Sequence, residues 1–189
     1  VQTFAPSGII DAVTPGSHVL AIDPKGRSMI EKTLVLLKPD AVKRGLMGRI
    51  LARFEDAGLK VVGLRMTMVD DGLARRHYSD LESRIGADAF ASVIQFMQSG
   101  PVVAMALEGD GAVAVVRKMI GSTFPSDAAP GTVRGDFCHA GRRAEGDSRA
   151  LANLVHASGA TDEAAAELAL WFSPDQYIAY ALPDDQFTL

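Results

Sequence analysis

"KTLVLLKP", Lys32 to Pro39, is a short apolar run closed by Lys-Pro. A run of this length without polar alternation suits a strand buried on both faces, and the proline stops it. The rest of the chain can be placed outward from it by period. "MGRILARFEDAG" spaces Ile50, Leu51, Phe54 and Ala57 as one helical face, with Gly58 as the stop. "KVVGLRMTMVD" alternates, with Val62, Leu64, Met66 and Met68 on one side, and reads as a second strand. Asp70 and Asp71 can cap a short helix through Tyr78. "ADAFASVIQFMQSGP" spaces Phe90, Val93, Ile94 and Met97 as a helix ended by Gly100-Pro101. "VVAMALEG" is a third strand, and "DGAVAVVRKMIG" is a helix closed by Gly121.

From Ser122 to Arg149 regular pattern fails, and a loop of that length is usually functional or the sign of a misread element. "ALANLV" then reads as a fourth strand leading to His156. Thr161 caps the helix "DEAAAELALWF", whose two acids favour its first turn, and Ser173-Pro174 open another short one. The order is β-α-β-(α-α)-β-α-loop-β-α-α. With the helical pair as an insertion this is β-α-β-β-α-β, the ferredoxin-like α/β (α+β) plan with a four-stranded antiparallel sheet.

The 189 residues suit one domain plus an appendage. Met29 opens the regular pattern, so residues 1–28 are expected outside the core and residues 29–189 within the domain. The first 28 residues lack a basic start followed by a long apolar stretch, and do not read as a secretory signal. No apolar run reaches the ~20 residues of a membrane span. A net charge of −4 argues against a general nucleic-acid binder and leaves an anionic small molecule open. The single cysteine, Cys138, excludes an internal disulfide framework and a cysteine-built zinc site. A reducing, cytoplasmic setting fits it best.

No glycine-rich phosphate loop, dinucleotide fingerprint, H-E-x-x-H or nucleophile elbow occurs. Any phosphate must therefore be held by side chains. Lys38 stands at the first strand's end, where a solvated lysine would also sit. Arg117 is late on its helix, where the dipole alone explains a cation. Arg134 could simply pair with Asp136, and Thr123 could be an ordinary loop residue. Of His18, His77, His139 and His156, only His156 ends a core strand, where packing fixes position. A hydrogen-bonded structural histidine is the plain alternative. Asn153 lies on the opposite face from His156 in an ideal strand, so a bend is needed to bring both to one site.

Taken together, "EKTLVLLKPDAVKRGLMGRIL", "HYSDL", "MQSGPVVAMALEG", "PGTVRGDF", "NLVHAS" and "ELALWF" resemble the nucleoside diphosphate kinase family, from about Met29 to Tyr180. The resemblance implies transfer of the γ-phosphate of a nucleoside triphosphate, typically ATP, to a nucleoside diphosphate. It implies a ping-pong course through a phosphohistidine at His156. Glu167 would hydrogen-bond the other ring nitrogen and Ser158 would support that pair. Lys38, Tyr78, Arg117, Thr123, Arg134 and Asn153 would contact phosphates and sugar. Phe90 would stack on the base, with Ala89 competing for the matching position. Mg²⁺ would be held mainly by the nucleotide phosphates, with no dedicated metal ligand. A homo-oligomer is implied, a hexamer rather than a tetramer.

That chemistry suits the residue types. Charge in phosphoryl transfer spreads over the moving group's oxygens, so cations and positioning supply most of the catalysis. A neutral imidazole is available near pH 7, and an acceptor such as Glu167 fixes its tautomer. Where the family shows His-Gly-Ser-Asp-Ser, this chain has His156-Ala157-Ser158-Gly159-Ala160. The turn thus loses two polar side chains, and Ala157 tolerates positive φ poorly. That change motivates a second reading, a nucleotide-binding regulatory module on the same fold without efficient turnover. The stretch from 138 to 152 is long and carries Arg142, Arg143 and Arg149 with Glu145 and Asp147. It reads as a solvated mixed-charge loop, or else as an extra rim or subunit contact.

Overall fold

The computed structural model describes residues 30–139 and 152–183. The expected extension 1–28 and the cations Arg142, Arg143 and Arg149 lie outside the described residues.

Four strands form one sheet: β1 (Ile30–Leu37), β2 (Lys60–Met68), β3 (Pro101–Asp110) and β4 (Val155–Ala157). Their spatial order is β2-β3-β1-β4 and each neighbouring pair is antiparallel. Helices α1 (Pro39–Lys43) and α2 (Met47–Asp56) follow β1. Helices α3 (Asp71–His77), α4 (Leu81–Ile85) and α5 (Ala87–Gln98) connect β2 to β3. Helix α6 (Ala112–Ile120) follows β3, α7 (Val133–Phe137) precedes β4, and α8 (Thr161–Trp171) follows it. This is the β-α-β-β-α-β plan expected of the sequence, with the helical insertion between β2 and β3.

The central strands have no polar face because both sides are covered. Val35 and Leu37 of β1, with Val103, Met105 and Leu107 of β3, join Ile50, Phe54 and Val116 in one core cluster. Leu34 and Leu36, with Val102, Ala104 and Ala106, join Phe90, Ile94, Met97 and Trp171 in the other. Full burial of such a side chain contributes about 1.5–3 kcal/mol. The buried stripe of α5 is Phe90, Val93, Ile94 and Met97, as its spacing predicts. Gly58 and Gly121 both take positive φ at helix ends, at 81° each.

Four local expectations are corrected. The strand "ALANLV" is reduced among the described residues to Val155–Ala157, with His156 at its centre. The reason is a turn before it: Val155 N–H donates to Asn153 O at 2.9 Å around Leu154, whose φ is 72°. An i→i+2 bond across a positive-φ residue is a γ-turn, rare for a leucine. Thr161 does not cap α8. Ala160 holds that position without a side-chain bond, and Glu163 reaches back to accept from Gly159 N–H at 2.7 Å. The stretch from Ser122 is not structureless: Thr132 caps α7 by accepting from Gly135 N–H, and a 3-10 turn spans Pro125–Asp127. Finally, β2 alternates as expected, yet Leu64, Met66 and Met68 are 55%, 54% and 61% exposed. A register shift between Val61 and Gly63 turns them away from buried Val62. Among the described residues no helix is long and apolar enough to cross a membrane.

Candidate active site

The site is assembled around β4. Pairing with β1 sets His156 opposite Leu36, which fixes the backbone of the imidazole. Its Nε2 lies 2.7 Å from Oε1 of Glu167 on the second turn of α8. A carboxylate only accepts, so Nε2 carries the proton and Nδ1 keeps its lone pair. Ser158 Oγ donates to the other oxygen of Glu167 at 2.6 Å and accepts from Leu34 N–H at 3.3 Å. The chain β1 backbone–Ser158–Glu167–His156 therefore ties the ring to the central strand. Burial opposes the charge of Glu167. The hydrogen bond and charge of His156, with the Ser158 hydroxyl, more than offset it and hold the carboxyl below its ordinary range.

The turn after His156 needs no glycine at 157. Ala157 is a strand residue paired with Val35, and Leu154 is the non-glycine residue of positive φ among those described. That same Leu154 turn supplies the bend required between Asn153 and His156. Its N–H donates to Asp40 Oδ2 at 2.9 Å, and its carbonyl accepts from Lys38 N–H at 2.8 Å. The start of α1 thus holds the turn, which places Lys38 beside it.

Lys38 is 7% exposed, with its ammonium 5.1 Å from the centre of the Phe96 ring. Burial pulls it down to about 8, with Asp40 opposing and Arg134 assisting. Arg134 does not pair with Asp136, which binds Arg53 and Gly131 N–H instead. It spends four of its five N–H groups on the carbonyl oxygens of Asn153, Gly121, Ser122 and Val155, at 2.6–3.2 Å. Burial and the Arg117 charge lower its pKa to about 10, so it stays a cation at neutral pH. Arg117 donates to Ala157 O at 3.3 Å. Asn153 donates to Thr123 O at 2.9 Å, while its own Oδ1 is buried with no partner among the described residues. Tyr78 sets its ring edge to face with His156 at 6.2 Å, and burial followed by Glu167 pushes its phenol up.

Phe90 is the exception. It is 4% exposed inside the second core cluster, with the Arg75 guanidinium 5.6 Å from its ring. Neither face is left for a planar base, so the expected stacking role is corrected. Its position on the buried stripe of α5 explains why.

His77, set aside in the sequence because it does not end a core strand, also belongs to the site. It is buried, its Nδ1 accepts from Trp171 Nε1–H at 3.2 Å, and it stands 3.5 Å from Glu167 Oε1. The available signals were the i,i+3 spacing of Ala74 and His77, and the i,i+4 spacing of Glu167 and Trp171. His77, His156 and Glu167 bring one ligand atom each within 4.8 Å, a trio close enough to hold an ion. Their facing atoms are already engaged, His156 Nε2 with Glu167 and His77 Nδ1 with Trp171, and two nitrogens suit a hard cation such as Mg²⁺ poorly.

The arrangement is one oriented imidazole, a carboxylate to share developing positive charge, and three buried or anchored cations. Comparison with known proteins identifies the family of the chain. Residues 31–177 match the family model described as nucleoside diphosphate kinase. The chain is 46% identical over 160 residues to the nucleoside diphosphate kinase of Pyrococcus horikoshii, covering 85% of this chain and 96% of that one. It is 42% identical over 151 residues to human nucleoside diphosphate kinase A, covering 79% and 91%. Among solved structures, a transition state mimic of the Borrelia burgdorferi enzyme with bound vanadate and ADP aligns with TM-score 0.77. It shares 37% identity and covers 82% of this chain and 95% of that one. The Halobacterium salinarum enzyme in complex with CDP aligns with TM-score 0.74 and 37% identity, covering 84% and 98%. With the sheet order, the matched span and the identity in agreement, this chain belongs to the nucleoside diphosphate kinase family of phosphotransferases.

Proposed function

We propose that the enzyme works by a ping-pong course in which His156 Nδ1 is the phosphoryl carrier. The lone pair on Nδ1 attacks the γ-phosphorus of a nucleoside triphosphate, typically ATP. The N–P bond forms as the bond from γ-phosphorus to the β–γ bridging oxygen breaks, and the diphosphate leaves with that electron pair. A terminal oxygen of a second nucleoside diphosphate then attacks the same phosphorus, and the N–P bond returns its electrons to Nδ1. The proton stays on Nε2 throughout, and Glu167 stabilises the positive character of the phosphorylated ring. The 2.7 Å contact between Nε2 and Glu167, with its consequence for Nδ1, carries this reading.

Lys38, Arg117 and Arg134 supply the charge for the polyphosphate, with Lys38 also acting on the transferring group. Thr123, Tyr78 and the Oδ1 of Asn153, which has no partner among the described residues, supply polar contacts to phosphate and sugar. Mg²⁺ arrives as part of the nucleotide complex. The vanadate and ADP bound in the Borrelia burgdorferi structure and the CDP in the Halobacterium salinarum one support this ligand class. Residues 29–189 form the kinase domain and residues 1–28 lie outside it, a division supported by the 31–177 family match. The free thiol of Cys138 suits the cytoplasm. The family resemblance favours a hexamer over a tetramer, and a homo-oligomer is supported by the exposed side chains of Leu64, Met66 and Met68 on an edge strand. Their face continues into an apolar groove with Met47, Leu51 and Met105. Bare apolar surface of that kind is what a second copy covers.

Incubation with γ-labelled ATP and Mg²⁺ will give acid-labile, base-stable phosphate on the protein, and His156→Ala will abolish it. Labelled His156→Ala would contradict the assignment. Nucleotide binding without phosphate exchange between ATP and GDP would favour the regulatory module instead.

A further inference from the structure

Glu167 faces two imidazoles. Its Oε1 is 2.7 Å from His156 Nε2 and 3.5 Å from His77 Nδ1. If both rings offered it a proton, the carboxylate would divide between them. His77 closes α3 with a side chain only 1% exposed, and its Nδ1 accepts from Trp171 Nε1–H at 3.2 Å. An indole nitrogen can only donate, so a bonded Nδ1 must carry a lone pair. A neutral imidazole in that state holds its proton on Nε2, which is buried without a partner among the described residues.

We propose that Trp171 is a positioning residue that locks His77 in the Nε2–H tautomer, leaving His156 as the sole imidazole donor to Glu167. The inference rests on His156 being the phosphoryl acceptor.

The geometry is set by α8. Glu167 and Trp171 are four residues apart on one helix face, so carboxylate and indole arrive together. The His77 ring stands edge to face against Trp171 at 5.5 Å and 88°, and against His156 at 4.5 Å and 83°. Protonating Nδ1 would set N–H against N–H at the indole. The ring could relieve this only by turning its proton onto Glu167 Oε1, the oxygen His156 uses. The ionisable groups facing His77 are His156 on β4, Glu167 on α8 and the adjacent Tyr78. Burial and then the His156 charge hold His77 down to about 3 against the pull of Glu167, so the ring is neutral throughout the working range. Trp171 thereby acts on catalysis without touching nucleotide.

The test uses the full chain labelled with 15N-histidine. In wild type at pH 7, long-range 1H–15N correlations will show His77 as Nε2–H with a bare Nδ1. In Trp171→Phe, where the ring stays buried and loses only its indole donor, His77 will stay neutral and its proton will appear on Nδ1, facing Glu167. Single-turnover phosphorylation of His156 by γ-labelled ATP at saturation will then fall about tenfold below wild type, with nucleotide affinity unchanged. Trp171→Phe/His77→Phe, with no ring proton at 77, will restore the wild-type rate. A folded Trp171→Phe that keeps Nε2–H or the wild-type rate, or a double variant that stays slow, overturns the proposal. Should Trp171→Phe not fold, the wild-type spectrum decides: Nε2–H supports the lock and Nδ1–H refutes it. Wild type that takes no phosphate on His156 would instead remove the carrier reading on which the lock rests, whatever the tautomer.

Discussion

Glu167→Gln tests the core of the site. The amide keeps the length and shape of the carboxylate and leaves an oxygen to accept from His156 Nε2–H, so the ring need not move. What it removes is the charge. Two unit charges ~4 Å apart interact by about 4 kcal/mol at an effective dielectric of ~20. About half a charge on the ring in the transition state is then worth about 2 kcal/mol, or roughly 30-fold in rate. Ser158 adds to this, because its hydroxyl now donates at 2.6 Å to a carboxylate and would meet either a weaker acceptor or an opposed N–H. The assay is rapid-quench phosphorylation of the protein by γ-labelled ATP at saturation, with nucleotide affinity measured separately. The expected outcome is a loss of about 30-fold to 100-fold in the phosphorylation rate with affinity changed less than threefold. A loss below threefold would mean that no positive charge develops on the ring, and the role given to Glu167 would fail. Stability gives a second readout. The carboxyl is held below its ordinary 4.5, so it stabilises the fold above pH 4.5 and loses that contribution as pH falls through the lowered folded value. Glu167→Gln will lack that acid-side loss.

Other outcomes follow from the neighbours. Lys38 titrates near 8 when buried, so diphosphate affinity will weaken as pH rises above 8 in calorimetric titrations, while Lys38→Met will bind more weakly and lose that dependence. Its unfolded value of 10.5 exceeds the folded one, so its buried charge opposes folding below pH 8 and stability rises with pH from 8 to 10.5. Lys38→Met will accordingly be more stable at pH 7, by up to about 3 kcal/mol in urea titrations. Arg134→Lys keeps the charge but cannot span the carbonyls of Gly121, Ser122, Asn153 and Val155. Unfolding in urea will show a loss of about 3 kcal/mol or more as these acceptors go unmet. Leu64→Glu/Met66→Glu adds charge to the bare face of β2, and sedimentation velocity will show smaller species than wild type.

Periodicity made the secondary elements legible. The two-faced burial of "KTLVLLKP", the helical stripe through Phe90 and Met97, and the glycine stops at 58 and 121 are local properties. Each follows from backbone geometry and side-chain spacing within a dozen residues. Motif order also named residues that the structure brings together: Lys38 after β1, Arg117 in the last turn of α6, His156 within β4, and Ser158 and Glu167 after it, while Arg134 and Asn153 lie where no period held. Reading the shape of the final strand failed because its limits are set from outside. Asp40 on α1 takes the N–H of Leu154, and a γ-turn replaces three residues of expected ladder.

The same distinction separates Phe90 from Lys38. Both are read from sequence as nucleotide contacts, yet a buried helix stripe turns Phe90 into the core while the α1 start holds Lys38 beside β4. It also separates His77, which sits among charged residues in the chain and against Trp171 and Glu167 in space. Sequence alone determined which residues could be strand, helix, cation or nucleophile, since those are properties of short segments. Only the tertiary structure decided which faces are covered, which hydrogen-bond partner each polar atom meets, and hence which nitrogen of His156 is free. Those depend on groups brought together from distant parts of the chain, where spacing in sequence carries no information about distance.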